Sequence, residues 1–210
     1  MRTLSIAVCI IVFSGTAHSF DAGLLTLHPA AVSLQPDEAP ASEPPTASTP
    51  VARYGAEGSR WWIIGGGFAS DIDDIESVNL FGAFGYFIID DVEIQGELGG
   101  WYFSQPGDDA GAINPVLNFR WHFLNHEKWT VFAEAGIGIM GASDDVPEGG
   151  TSFNFSPRAG VGFTHEISGS GVRLLLGVRW QHFSNARIYG DDENPALDQA
   201  ILYTGVIFPF

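Results

Sequence analysis

VEIQGELGGWY, from Val92 to Tyr102, alternates with a period of two: Glu93, Gln95 and Glu97 share one face, while Val92, Ile94 and Leu98 share the other. A strand with two chemically different faces requires this pattern. NPVLNFRWHF, from Asn114 to Phe123, repeats it with Asn118, Arg120 and His122 opposite Leu117, Phe119, Trp121 and Phe123. Working outward from these two stretches gives eight such runs, at about 61–69, 77–88, 92–103, 112–123, 128–140, 152–165, 171–183 and 198–209.

In a soluble sandwich or a lipocalin the polar face of each run would be the outside. Here that face carries many glycines and lone charges of both signs: Glu93, Glu97 and Glu134 against Arg120, Arg158, Arg173 and Arg179. A narrow closed barrel accounts for both features, with ion pairs cross-linking a polar interior and an apolar band facing lipid. The predicted fold class is therefore all-β, an eight-stranded antiparallel transmembrane barrel of the outer-membrane type. Closure also removes the strand edges that lipid cannot satisfy. The connections have the matching rhythm. SDIDDIE, SQPGDDAG, GASDDVPEGG and SNARIYGDDENPAL are long and acidic, whereas IDD, LNHE and EISGSG are tight. Long outer loops and short periplasmic turns alternate in this way in outer-membrane barrels. The final ILYTGVIFPF, with aromatic Phe210, looks like the terminal-strand signal of such barrels.

The chain of 210 residues has room for one domain of moderate size. Its start, MRTLSIAVCIIVFSGTAHSF, has a cationic Arg2, an apolar stretch from Leu4 to Phe13 and small residues around Ala17 and Ser19. This predicts a signal peptide over 1–19, and hence export. No run approaches the roughly 20 apolar residues of a membrane-spanning helix. The single cysteine, Cys9, lies inside the signal, so the mature chain has neither a disulfide nor a thiol nucleophile. Residues 20–58 are rich in Pro, Ala, Ser and Thr and read as a disordered leader, leaving 59–210 for the barrel. A formal charge of −16 with only nine basic residues excludes a nucleic-acid partner. Acidic surface loops account for this charge, and divalent-cation bridging to phosphorylated lipid heads is its sharper alternative.

The seventh run ends RWQHFSNARIYGDDENPALDQ, Arg179 to Gln199. Leu174, Leu176, Val178 and Trp180 form its lipid-facing row, and His182 and Ser184 continue that row to the outer rim. Asp198 opens the paired eighth run, on the outward face with Leu202, Val206 and Phe208. A serine becomes a nucleophile when a base takes its proton, and the base works better when a carboxylate fixes its tautomer. A His-x-Ser pair alone also fits a polar strand end beside a loop. Asp191, Asp192 and Glu193 are nearby acids that fit either the third role or a solvated loop tip. His122 and His126 stand four apart but straddle a strand end and a turn, which does not set up a metal site. No G-x-S-x-G elbow occurs. The six tryptophans read as lipid-facing and interfacial anchors, and Trp180 is also placed to line an acyl-chain groove.

QHFSNARI followed by ENPALDQAILYTGVIFPF resembles the carboxyl-terminal segment of the PagL family of lipid A 3-O-deacylases. The motif match covers roughly the last 30 residues, and the strand plan matches over the whole barrel. The resemblance implies an eight-stranded outer-membrane barrel that hydrolyses an ester of lipid A, the lipopolysaccharide anchor of the outer leaflet. It assigns His182 as general base, Ser184 as nucleophile and Asp198, where the family often has glutamate, as the acid. Asn185 is either an oxyanion contributor or the organiser of the turn. No cofactor and no metal is implied, and a homodimer is compatible with this reading. The rival is a non-enzymatic barrel acting in adhesion or membrane anchoring. Whether His182, Ser184 and Asp198 lie within hydrogen-bond reach separates the two.

Overall fold

The computed structural model describes residues 53–70, 75–190 and 194–209. The expected signal peptide, all of the expected leader but 53–58, the acids Asp191, Asp192 and Glu193, and Phe210 lie outside the described residues. The strands are β1 (Arg60–Ser70), β2 (Glu76–Ile89), β3 (Val92–Ser104), β4 (Ala110–Asn125), β5 (Trp129–Val146), β6 (Thr151–Phe155), β7 (Arg158–Glu166), β8 (Arg173–Phe183) and β9 (Leu197–Pro209). All pair antiparallel, and the ring β1-β2-β3-β4-β5-β7-β8-β9 closes through β1 and β9. The outer part of β5 pairs with β6 and its inner part with β7, so β6 and β7 together make one stave of an eight-stranded barrel. The break falls at Ser156 and Pro157, because proline has no N–H to give the ladder. Its carbonyl is still used, accepting the His182 N–H at 3.0 Å.

Period-two alternation runs through the staves, most regularly in β2, β3, β4, β8 and β9. Outward side chains form a broad apolar belt, with Leu80 as much as 77% exposed and Ile64, Ile113, Leu117 and Leu202 also bare. In water a patch of this extent would drive association; against lipid tails it needs no cover.

Three layers fill the lumen. At the tight-turn end, Tyr54 is buried among Trp61, Phe87 and His122, with the Arg173 guanidinium 4.4 Å above its ring. This residue precedes β1 and closes the mouth from a segment that composition had assigned to the leader. In the middle, Arg120 pairs with Glu134 at 2.9 Å and Glu93 at 3.7 Å, and Arg158 with Glu97 at 2.7 Å. Arg179 joins them, 2.8 Å from Glu134 and 3.6 Å from Glu97. Each buried charge has a partner, as low-dielectric surroundings demand. At the long-loop end, Trp101, Phe103 and Phe183 meet with ring centroids 5.4–5.6 Å apart. The ion pairs thus concentrate in the middle of a polar interior, with aromatic side chains added at both ends among buried polar groups such as Ser77 and Gln199 at one end and Thr130 and Thr164 at the other. Close packing of this kind needs bare backbone opposite the large side chains: a Cβ on Gly177 would lie 2.4 Å from the Tyr203 ring.

One connection differs from expectation. GASDDVPEGG, read as a long loop because of its acids, continues β5 through Val146 and turns tightly at Pro147–Gly150, where the Gly150 N–H bonds the Pro147 carbonyl at 2.9 Å. Ladder hydrogen bonds do not require an apolar environment, so β5 and β6 pair beyond the apolar belt.

Candidate active site

β8 carries His182 toward the long-loop rim. Arg173, Leu175, Gly177, Arg179, Gln181 and Phe183 point inward, while Leu174, Leu176, Val178, Trp180 and His182 point outward. The inward Phe183 is locked in the aromatic cluster with Trp101 and Phe103. The rim of the strand is therefore held from inside, and the outward groups beside Phe183 inherit that rigidity.

His182 lies directly opposite Asp198 in the β8–β9 register. Directly opposed antiparallel residues have their Cβ atoms about 4.5–5.5 Å apart, close enough for a short carboxylate to reach an imidazole. The result is a relay: Asp198 Oδ1 lies 2.9 Å from His182 Nδ1, and His182 Nε2 lies 2.9 Å from Ser184 Oγ. The lengths are ordinary hydrogen bonds. With a proton on Nδ1 donated to Asp198, Nε2 presents its lone pair to the serine hydroxyl. Asp198 is half exposed and His182 about a quarter exposed, whereas Ser184 is nearly buried. The site opens at the barrel wall and not into the lumen.

Ser184 is fixed through its backbone. It exchanges both main-chain hydrogen bonds with Phe155 of β6, at 2.8 and 3.2 Å. The chain then reverses sharply, with Ala186 and Arg187 at φ 53° and 64°, a left-handed pair that non-glycine residues adopt at a cost. Asn185 makes hydrogen bonds across this reversal. Its Oδ1 accepts the Arg187 N–H at 2.8 Å, its own N–H donates to Asn194 Oδ1 at 2.9 Å, and its Nδ2 approaches Thr151 Oγ1 at 3.3 Å. Asn194 and Thr151 are contacts that reading along the chain did not reveal; the Asn-Pro step at 194–195 was the available signal for a turn anchor.

Trp180 also reaches the relay, its indole N–H donating to Asp198 Oδ1 at 2.8 Å. The two histidines noted for their spacing are separated by environment. His122 is buried in the lumen, 2.9 Å from Thr130 Oγ1, while His126 sits at the tight-turn rim against the Trp129 ring.

The sequence profile of the family described as lipid A 3-O-deacylase (PagL) matches residues 78–206, a span that includes His182, Ser184, Asn185 and Asp198. Among solved structures, the outer membrane enzyme PagL is 19% identical with a TM-score of 0.55, the match covering 70% of this chain and 99% of that one. Neisserial surface protein A is 16% identical with a TM-score of 0.58, over 73% of this chain and 100% of the other. The outer membrane protein OprG from Pseudomonas aeruginosa is 12% identical with a TM-score of 0.51, over 76% and 99%. At these identities the likeness is one of fold. No curated protein matches the chain in sequence.

Proposed function

Because the chain belongs to the lipid A 3-O-deacylase family, whose members are ester hydrolases of the outer membrane, we propose that it removes the 3-linked acyl chain of lipid A with Ser184 as nucleophile, His182 as general base and Asp198 as the acid. The observation that carries the assignment is the unbroken relay from Asp198 through His182 to Ser184 on the outward face of the rim. A barrel that only binds or anchors has no need of it.

Ser184 Oγ attacks the ester carbonyl carbon as its proton passes to His182 Nε2. The negative charge that develops on the carbonyl oxygen needs donors aimed at it. Among the described residues, the Ser184, Asn185, Arg187 and Ile188 N–H groups already donate within the chain, which leaves the Ala186 N–H as the backbone donor this segment offers. Collapse breaks the carbonyl–oxygen bond to the sugar, whose 3-oxygen takes the proton from His182 and leaves an acyl-serine. A water then gives its proton to His182 and its oxygen to the acyl carbon, releasing the fatty acid and restoring the hydroxyl. The outward position suits a substrate that is itself the surrounding leaflet, since its acyl chains need only lie along the wall. The composition before the barrel supports an export signal to Ser19 followed by a Pro/Ala-rich leader to about residue 58.

The test is mass spectrometry of lipid A from cells producing the wild type or Ser184→Ala, matched for folded barrel. The expected result is loss of one 3-linked hydroxyacyl chain with the wild type only. Deacylation by Ser184→Ala at the wild-type level would remove the serine from the mechanism.

A further inference from the structure

Trp180 stands two residues before His182 on β8 and shares its outward face. Its ring is 47% exposed, as befits a residue at the membrane interface, yet its indole N–H is not left to solvent. It donates to Asp198 Oδ1 at 2.8 Å, the same oxygen that His182 Nδ1 meets at 2.9 Å. The register makes this specific. Asp198 opposes His182, and Trp180 opposes Ala200, so tryptophan and aspartate are diagonal neighbours across the β8–β9 pair. That separation, about 7–8 Å, is spanned by aromatic or long side chains only.

We propose that Trp180 is a positioning residue for the reaction, its indole N–H holding the Asp198 carboxylate where His182 Nδ1 can donate to it. The inference rests on reading Ser184, His182 and Asp198 as the catalytic relay. Asp198 is short, lies at the first turnable residues of β9 and is half exposed, so nothing in its own packing selects one rotamer. An indole N–H is a donor only and cannot reverse its role. Two donors converging on Oδ1, one from a rigid ring on the same strand as the base, fix both the oxygen and the imidazole plane. The Trp180 and His182 rings lie 5.8 Å apart and 30° from parallel, so the indole also limits the tilt of the imidazole. A tryptophan acting only as an interfacial anchor, or only as a surface for an acyl chain, needs no bond to this oxygen.

The experiment uses the full chain, refolded in detergent mixed with lipid A, with rates expressed per folded barrel from the gel-mobility shift of the heated sample. Trp180→Phe keeps the ring and deletes the N–H; it is compared with Asp198→Ala, the double variant and Ser184→Ala. Loss of one charge-assisted hydrogen bond is expected to lower kcat roughly tenfold with apparent KM unchanged. The double variant is expected to match Asp198→Ala alone, because the bond needs both partners. Wild-type kcat in Trp180→Phe, a change confined to KM, or an equal loss in the Asp198→Ala background would each overturn the positioning role. Full activity in Ser184→Ala or Asp198→Ala would instead overturn the catalytic reading on which it rests.

Discussion

Replacing Glu134 by glutamine perturbs the barrel from inside. Glu134 is 4% exposed and accepts from the Arg179 Nε at 2.8 Å, Tyr203 Oη at 2.9 Å and Arg120 Nη2 at 2.9 Å. With Glu93 and Glu97 it balances the guanidiniums of Arg120, Arg158 and Arg179, so losing its charge leaves the cluster with an uncompensated cation. Stranding a buried charge costs about 3–5 kcal/mol. Here Arg120 keeps Glu93 at 3.7 Å and Arg179 keeps Glu97 at 3.6 Å, and the glutamine oxygen still accepts from Tyr203. The low end, about 3 kcal/mol, is therefore expected for Glu134→Gln. With a urea slope of about 2 kcal/mol per molar, the unfolding midpoint falls by roughly 1.5 M. The assay is urea titration of barrels in vesicles, followed by tryptophan fluorescence and gel mobility. Activity per folded barrel is expected to stay at the wild-type level, since the cluster and the relay lie on opposite sides of the wall. An unchanged midpoint would show that the guanidiniums do not depend on Glu134, and a raised one that desolvation of the carboxylate outweighs its pairing.

Asn185→Asp keeps the oxygen that accepts the Arg187 N–H and removes the side-chain N–H donors; if the residue serves the turn, kcat stays within about tenfold, whereas removal of an oxyanion donor costs about 10²–10³-fold. Arg187 is the one arginine or lysine near the long-loop rim among the described residues, three positions after Ser184, and lipid A is phosphorylated. Arg187→Gln is expected to raise apparent KM about tenfold with kcat retained, measured on lipid A in mixed micelles; a KM independent of added salt and of this side chain would refute an electrostatic contribution.

The alternation in VEIQGELGGWY and NPVLNFRWHF carried the fold because lipid and lumen impose opposite polarity on neighbouring residues, and the same parity put His182 and Ser184 outside. The lumen ion pairs were legible for a related reason: lone charges on strand faces otherwise lack partners. Parity brings His182, Ser184 and Asp198 to one rim, but it does not give the bonds between them. That Asp198 opposes His182 depends on register, which no single strand encodes, and the Trp180 bond is diagonal to that register. The aromatic layers were hidden because Phe87, Phe103 and Phe183 occupy inward positions with apolar side chains and blur the polar row. Pro157 inside the sixth run is the visible sign of a broken stave, masked by the alternation that residues on either side keep. Tyr54 was lost in a composition average: one aromatic residue closes the mouth, while the residues around it read as linker.

A relay built on the outer wall of a barrel meets its substrate by diffusion within a sheet. Encounter frequency then follows the fraction of the surface that is substrate, not the number of moles in the tube. Diluting the leaflet with an inert amphiphile at constant bulk concentration slows the enzyme, and concentrating the suspension does not restore the rate. The released fatty acid and the trimmed lipid begin life in the same sheet, so turnover alters the medium in which the next collision takes place.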